Sequence, residues 1–379
     1  MTENSSSMPK IADWWPKTSD KNAPWEANPW VVAGPCSAET EEQLRETATA
    51  VYHKGIRTIR AGVWKPRTRP DSFEGIGEEA LVWLSDLKKD LDIRTATEVA
   101  TPEHVELALK HGVDILWIGA RSTVNPFTVQ AIAEALRGVD KPVLVKNPIN
   151  PDLTLWIGAL ERLIRCGATK LGAIHRGFSS FQKTRFRNVP MWKIPIELKR
   201  LWPELPLMAD PSHIGGDRSM IADISQVALD LNYDGLMIET HRDPDHAWSD
   251  AKQQVTPDAL QEILQGLKVR KPAAEDAGFT SLLEELREQI DHADQEILEA
   301  MARRMSLVQR IGEYKKTNNV AVLQIERWKE IFHSRQEWAE ALHLNKDFVA
   351  EFYRMMHQES IRRQTNLMTD DETSGENTD

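Results

Sequence analysis

Six cations, Arg60, Lys65, Arg67, Arg121, Lys146 and Arg176, each stand just after a short apolar run of β type. Cations gathered on one rim repel one another unless anionic ligands, phosphates or carboxylates, neutralise them. Cys36, His213, Glu239 and Asp250 stand at or soon after equivalent run ends. One thiol, one imidazole and two carboxylates form a donor set suited to a divalent transition metal. A second group lies further along the chain. Arg304 and Lys315 are eleven residues apart, which at about 100° per residue returns them to nearly the same helix face. Arg287 falls about 100° aside on that helix, better placed to serve a pocket in a partner chain. Ser360 and Gln364 are four apart and share a face.

Each of these residues alone has a plainer explanation. A strand-end arginine is usually a rim salt bridge, a lone cysteine a small packed residue, and a helical lysine part of a solvated face. The conjunction on one rim carries the functional reading. The same test leaves Cys166, in the helix before the sixth run, as packing.

The elements that position these groups come in two textures. Apolar runs at 30–33, 58–61, 94–97, 115–118, 143–146, 170–174, 207–209 and 235–238 alternate with amphipathic helical patterns such as 41–53, 102–110, 126–136, 153–165 and 218–231. Thr101-Pro102-Glu103 and Asn125-Pro126 are helix-start signals. Eight such units predict a (β/α)8 TIM barrel, an α/β fold, with a doubly wound sheet as the alternative. Barrel chemistry sits where strands end, which is where the cations and metal donors fall. From Phe279 the pattern changes. Leu286, Ile290, Ala293, Ile297, Met301, Val308 and Ile311 recur at helical spacing. They predict one helix of about 30 residues, followed by helices at 326–342 and 346–367. Asn318-Asn319 and His343-Leu344-Asn345 are the expected turns. The expected domains are 1–270 (barrel), 271–279 (linker), 280–369 (small all-α three-helix domain) and 370–379 (acidic disordered tail). So small a helical core favours dimerisation.

Composition excludes several classes. The 379 residues carry 47 basic and 58 acidic side chains, net −11, which argues against a nucleic-acid partner. Five of the acids lie in the last ten residues, with no base among them, so the body is nearer neutral and can hold basic pockets. Two cysteines exclude a disulfide scaffold and fit a reducing cytoplasm. No apolar run approaches the ~18 residues of a membrane span, and the N-terminus has no signal pattern.

Gly34-Pro35-Cys36-Ser37, Lys65-Pro66-Arg67-Thr68, Gly119-Ala120-Arg121, Arg176-Gly177 and Asp210-Pro211-Ser212-His213-Ile214-Gly215-Gly216 resemble the type I 3-deoxy-D-arabino-heptulosonate 7-phosphate (DAHP) synthases, β subclass, over about residues 28–268. The related octulosonate 8-phosphate synthases carry a Lys-Ala-Asn type loop where this chain has Lys-Pro-Arg-Thr, so the resemblance favours erythrose 4-phosphate over arabinose 5-phosphate. It implies that Arg60, Arg121, Lys146 and Arg176 hold phosphoenolpyruvate and that Lys65 lies between the substrates. Arg67 and Thr68 would bind the sugar phosphate, and Cys36, His213, Glu239 and Asp250 one divalent metal. Manganese is the first choice, with iron(II), cobalt or zinc as alternatives. Some β-subclass members carry an N-terminal regulatory domain. With only about 27 residues before the first strand, too few for a domain, regulation is expected from elsewhere in the chain.

Leu286-Arg287-Glu288-Gln289-Ile290-Asp291, Arg303-Arg304, Ile311-Gly312-Glu313-Tyr314-Lys315, Glu326-Arg327 and Ser360 with Gln364 resemble the all-helical chorismate mutases over about residues 280–367. That likeness implies that Arg304, Arg327, Ser360 and a neighbouring subunit's Arg287 hold the substrate carboxylates. Lys315 and Gln364 would face the ether oxygen, where charge grows as the C–O bond breaks. Gln324 and Trp328 replace acidic residues that commonly contact the substrate hydroxyl. Gln324 can still accept a hydrogen bond, and an indole cannot. The expectation is therefore a bifunctional enzyme of aromatic amino-acid biosynthesis, a DAHP synthase fused to a chorismate mutase that also serves feedback by prephenate or chorismate. The alternatives are a synthase with a non-catalytic sensing domain and an octulosonate-type synthase. Its partners are small phosphorylated and carboxylated substrates and further copies of itself, as a dimer or dimer of dimers.

Overall fold

Eight strands close into a parallel barrel in sequence order. They are β1 (Trp30–Gly34), β2 (Thr58–Arg60), β3 (Arg94–Val99), β4 (Ile115–Ile118), β5 (Val143–Lys146), β6 (Leu171–His175), β7 (Leu207–Ala209) and β8 (Gly235–Glu239). The computed structural model describes residues 13–16, 24–26, 29–65, 73–181, 183–270 and 277–369, the first four of the last segment by backbone alone. Arg67, Thr68, most of the expected linker and the acidic tail lie outside the described residues. The chain divides into two compact units, Met1–Pro272 and Ala273–Asp379.

The strands read as nearly unbroken apolar runs because a parallel sheet is covered on both faces. Around them lie α1 (Glu41–His53), α2 (Glu78–Asp90), α3 (Pro102–Lys110), α4 (Ala120–Thr123), α5 (Pro126–Ala135), α6 (Leu153–Arg165), α7 (Lys193–Leu201), α8 (Pro211–Gly215), α9 (Ile221–Asp230) and α10 (Pro257–Gly266). Side chains of Thr40, Thr101, Asn125 and Asp152 accept N–H groups at helix starts, and proline opens α3 and α5. The expected helix at 218–231 begins as a 3-10 turn, Arg218–Met220, capped by Asp217, before α9. Cys166 is the C-cap of α6 rather than an interior helix residue.

Trp30, Val32, Ala96, Ile115, Trp117, Leu144, Ile174, Met208 and Met237 fill the barrel interior. At the strands' N-terminal ends Trp14 and Trp15 meet the Trp30 ring edge to face, with centroids 5.9 and 4.7 Å away. Their indole N–H groups donate to Leu171 O at 2.9 Å and Asp234 O at 3.3 Å. The floor is therefore closed, and chemistry is left to the opposite rim. There β1 and β8 pair from Trp30↔Gly235 to Gly34↔Glu239. The turn after β1 thus starts beside the carboxylate that ends β8.

The second unit holds α11 (Ala277–Thr317), α12 (Ile325–Ala341) and α13 (Lys346–Thr369). Asn319 and His343 take left-handed backbone, φ 51° and 56°, at the two turns. Met305, Val308, Ala339, Val349, Ala350 and Met356 form the core. α11 runs 41 residues, longer than its expected length, and only part of its apolar stripe is covered. Leu282, Leu286, Ile290, Ile297 and Leu298 are about half exposed or more within this unit. Among the described residues, no helix is long and apolar enough to cross a membrane.

Candidate active sites

The barrel rim is built by turns that only certain residues permit. Gly34 has φ +146°, and a Cβ there would lie 2.1 Å from Arg60 O. Glycine lets the chain turn tightly enough to seat Cys36 over the barrel. Cys36 Sγ lies 3.2 Å from Asp250 Oδ2, and Lys65 Nζ lies 2.8 Å from the same sulfur. Burial pushes the Cys36 thiol up to about 12, with the Glu239 and Asp250 carboxylates adding to it against Lys65 and Arg60. Burial pulls the Lys65 ammonium down, but Cys36 and Glu239 outweigh it and Lys65 keeps its proton more firmly than a free lysine.

Ligand atoms of Cys36, Glu239 and Asp250 lie within 4.8 Å of one another. His213 completes the neighbourhood from α8, with Nε2 3.7 Å from Glu239 Oε1. Its Nδ1 is 2.8 Å from Asp210 Oδ2, which fixes the ring and leaves Nε2 for a metal. Burial lowers the His213 pKa and Asp210 opposes it, so neutral imidazole is favoured. Burial would raise Glu239, yet His213, Arg60 and Lys65 hold it below the usual carboxylate range. Asp250 is also held down, by Arg187, His213 and Lys65 against burial. A thiol, a neutral imidazole and two ionised carboxylates fit a borderline divalent ion.

The anion half adjoins this cluster. Arg60, at the end of β2, is wholly buried, and its Nη2 is 3.2 Å from Glu239 Oε1. Among the described residues its Nε and Nη1 meet no acceptor. A buried guanidinium with two unpartnered nitrogens, three N–H donors in all, is costly unless a ligand takes them. Lys146 reaches Asp210 Oδ2 at 2.7 Å, and Lys146 and Arg60 both lie over the Trp117 ring. Arg176 donates to Asn188 Oδ1 at 2.5 Å, while its backbone N–H donates to Asn147 Oδ1 at 2.7 Å. Burial lowers Arg176 to about 10, Arg187 and Arg121 adding their repulsion against Asp210. Arg121 stands exposed on α4.

Several working neighbours are left unassigned by the motifs. Asp210 holds Lys146 and His213 together. Although buried, it is kept well below the carboxylate range by His213, Lys146 and Arg60. Arg187 pairs with Asp250 at 2.9 Å and Gln253 at 2.5 Å. It stands in the loop between β6 and α7, where no periodicity marks it. Asp210, Asn147 and Glu98 stand at or beside strand ends, where the barrel rule marks them. Glu98, at a strand end, accepts from Trp117 Nε1 at 2.9 Å.

In the helical unit, Arg304 Nη1 donates to Ser360 Oγ at 2.8 Å, joining α11 to α13. Gln364 is buried on the same face as Ser360, its Oε1 without a partner among the described residues. Gly312 allows this approach, since a Cβ there would meet Leu367 Cδ1 at 2.9 Å and Gln364 Cγ at 3.0 Å. Lys315 Nζ donates to Val322 O at 2.5 Å. Burial lowers both Arg304 and Lys315. The other proposed groups are not brought here. Arg327 is exposed and pairs with Glu330 at 2.8 Å, and Gln324 is the exposed N-cap of α12 with no side-chain cap bond. Arg287 is exposed, pairing with Glu284 at 2.6 Å.

These two sites define a (β/α)8 barrel with a cationic, metal-competent mouth, joined to a helical module whose cations and amide converge on α11 and α13. The chain belongs to the DAHP synthetase I family, whose sequence model matches residues 24–274. Residues 286–365 match chorismate mutase type II, so the two are fused in one chain. The phospho-2-dehydro-3-deoxyheptonate aldolase of Thermotoga maritima is 32% identical over 238 residues, 63% of this chain and 68% of that protein. The 2-dehydro-3-deoxyphosphooctonate aldolase of Bartonella tribocorum is 28% identical, covering 62% of this chain and 88% of that protein. A crystal structure of the Thermotoga maritima DAHP synthase aligns with TM-score 0.57 and 30% identity, over 63% of this chain and 71% of that one.

Proposed function

We propose that the barrel condenses phosphoenolpyruvate with erythrose 4-phosphate and water to DAHP and phosphate. The observation that carries this is Arg60, buried with its Nε and Nη1 unpartnered among the described residues, beside Lys146 and near the metal donors. Arg60, Lys146, Arg176 and Arg121 hold the phosphate and carboxylate of phosphoenolpyruvate. Arg67 and Thr68 grip the phosphate of the aldehyde substrate. Cys36, His213, Glu239 and Asp250 would hold one divalent ion, manganese first, which supplies Lewis acidity for an aldehyde oxygen or a water. Lys65 keeps its proton on Nζ and offers it to the oxygen that becomes an alkoxide as the enol carbon joins the aldehyde carbon. Water then adds at the former enol C2, and the C2–O bond breaks to release phosphate. Fixing both reactants in register supplies much of the acceleration.

The helical unit rearranges chorismate to prephenate by preorganised hydrogen bonding. Arg304 and Ser360 take a carboxylate, and Lys315 and Gln364 serve the ether oxygen. Arg287 acts in a neighbouring subunit's pocket. The uncovered first half of α11, with Leu286 and Ile290 exposed beside Arg287, supports a dimer in which this segment packs on the second copy. Arg327 and Gln324 would join the pocket on such assembly. The fusion of the two modules supports feedback, prephenate or chorismate in the helical unit slowing the barrel. We place the working units at 1–270 and 280–369, and the two free, buried cysteines fit a reducing cytoplasm.

The test is a pair of assays on the purified, metal-replete full chain: phosphate release with erythrose 4-phosphate, and loss of chorismate. Two other outcomes have specific support. The octonate aldolase likeness favours arabinose 5-phosphate as substrate. Trp328, a donor only, favours a sensing module without turnover. Synthase activity that ignores added prephenate would remove the feedback.

A further inference from the structure

A hydroxylated dicarboxylate bound between Arg304 and Lys315 needs an acceptor for its hydroxyl. Arginine, lysine and the Trp328 indole are donors only, and Gln324, which could accept, stands exposed at the start of α12 and is not brought to Arg304 and Lys315 within this unit. His357 lies one turn before Ser360 and two before Gln364 on α13, on the face that carries both. The Trp328 ring stacks on its imidazole, with centroids 3.8 Å apart and planes 13° from parallel. That stack covers one ring face and leaves the edge, with its two nitrogens, to the side. Among the described residues neither nitrogen has a hydrogen-bond partner. Among the described residues, Arg304 and Lys315 from α11 are the charged groups that act on it, Trp328 faces it from α12, and no carboxylate does. Burial and those two cations hold the imidazole neutral, the form with a lone pair to offer.

We propose that His357, clamped on Trp328, contacts the ligand of the helical site and sets its specificity by accepting a hydrogen bond from the ligand hydroxyl. This rests on the mutase reading of that site. His357 is then a specificity residue, and Trp328 is the plate that orients it.

The test measures chorismate turnover by the full chain across pH, for the parent, His357→Phe and His357→Gln. Phenylalanine keeps the stack and loses the acceptor, while glutamine keeps an acceptor on a different frame. One neutral hydrogen bond sets the scale, so His357→Phe should lower kcat/KM about tenfold, with His357→Gln recovering part of the loss. The parent should lose activity on the acid side as His357 protonates, and His357→Phe should lack that limb. The parent should also prefer chorismate to its 4-O-methyl ether by a wider margin than His357→Phe does. Parental kcat/KM, acid limb and discrimination in His357→Phe would overturn this inference and leave the mutase reading standing. A parent chain that neither turns over chorismate nor binds prephenate in calorimetry would overturn both.

Discussion

Arg60 Nη2 lies 3.2 Å from Glu239 Oε1, and both side chains are buried. One ion pair therefore joins the anion pocket to the metal donor set. Arg60→Ala should do two things. It removes one of the three basic groups that hold the buried Glu239 carboxylate, at a cost of up to about 3–5 kcal/mol, and it removes the donors for the substrate anion. Arg60→Lys keeps the charge without the fork. We expect Arg60→Lys to fold, to raise KM for phosphoenolpyruvate at least about tenfold through one lost charged hydrogen bond, and to leave chorismate turnover unchanged. Denaturant melts and separate assays of the two reactions check this.

Metal removal should separate the two activities. A chelator should abolish phosphate release by the barrel and leave chorismate turnover as it was. Cys36→Ser should bind manganese far more weakly in equilibrium dialysis, because a buried hydroxyl replaces a donor that a divalent ion would deprotonate. Full synthase activity in the chelated protein would show that the barrel works without the metal.

Acid should destabilise the barrel in a window set by His175. This histidine is buried at the end of β6, with Nε2 2.7 Å from Pro190 O and Nδ1 3.0 Å from the Tyr233 hydroxyl. Burial lowers it to about 3. The unfolded chain takes the proton near the ordinary value of about 6.5, while the folded one resists it. Its contribution to stability is therefore complete above about pH 6.5 and is lost as pH falls from there towards 3. The slope approaches about 1.4 kcal/mol per pH unit in that window. Urea midpoints at pH 7, 6 and 5 should fall for the parent, and His175→Gln should flatten this part of the dependence.

Subunit exchange at the helical site can be read by mixing. Arg287→Ala and Arg304→Ala should each abolish chorismate turnover. If the two arginines of one site come from different copies, remixing the variants gives half mixed dimers, each with one intact site. About a quarter of parental activity should then return. No recovery after exchange, verified by tagged co-purification, would place both arginines on one chain or leave Arg287 without a role.

The fold was legible where periodicity and turn chemistry coincide. The run at 115–118 and the helix at 153–165 match β4 and α6, and the turns at Asn319 and His343 fall where two polar or loop-like clusters interrupt the helical spacing. α4 and α8 were not legible, since helices of four and five residues are too short for a periodic signal. The candidate site's residues were legible by position, since they stand at strand ends, where a barrel gathers side chains on one rim. Arg187 and His357 were not, because each is placed by a neighbour distant in sequence, Asp250 for one and Trp328 for the other. The apolar stripe of α11 is legible as helical spacing, but Leu286, Ile290, Ile297 and Ile311 are about half exposed, and periodicity carries no information on what covers a stripe.

Phosphate release from phosphoenolpyruvate by the manganese-loaded full chain, with erythrose 4-phosphate or arabinose 5-phosphate as acceptor, decides what the barrel condenses. Turnover with erythrose 4-phosphate at least about 100-fold faster, the discrimination available to a site built around a phosphate and hydroxyls, is the predicted result. Release with arabinose 5-phosphate alone, or with neither, would contradict it.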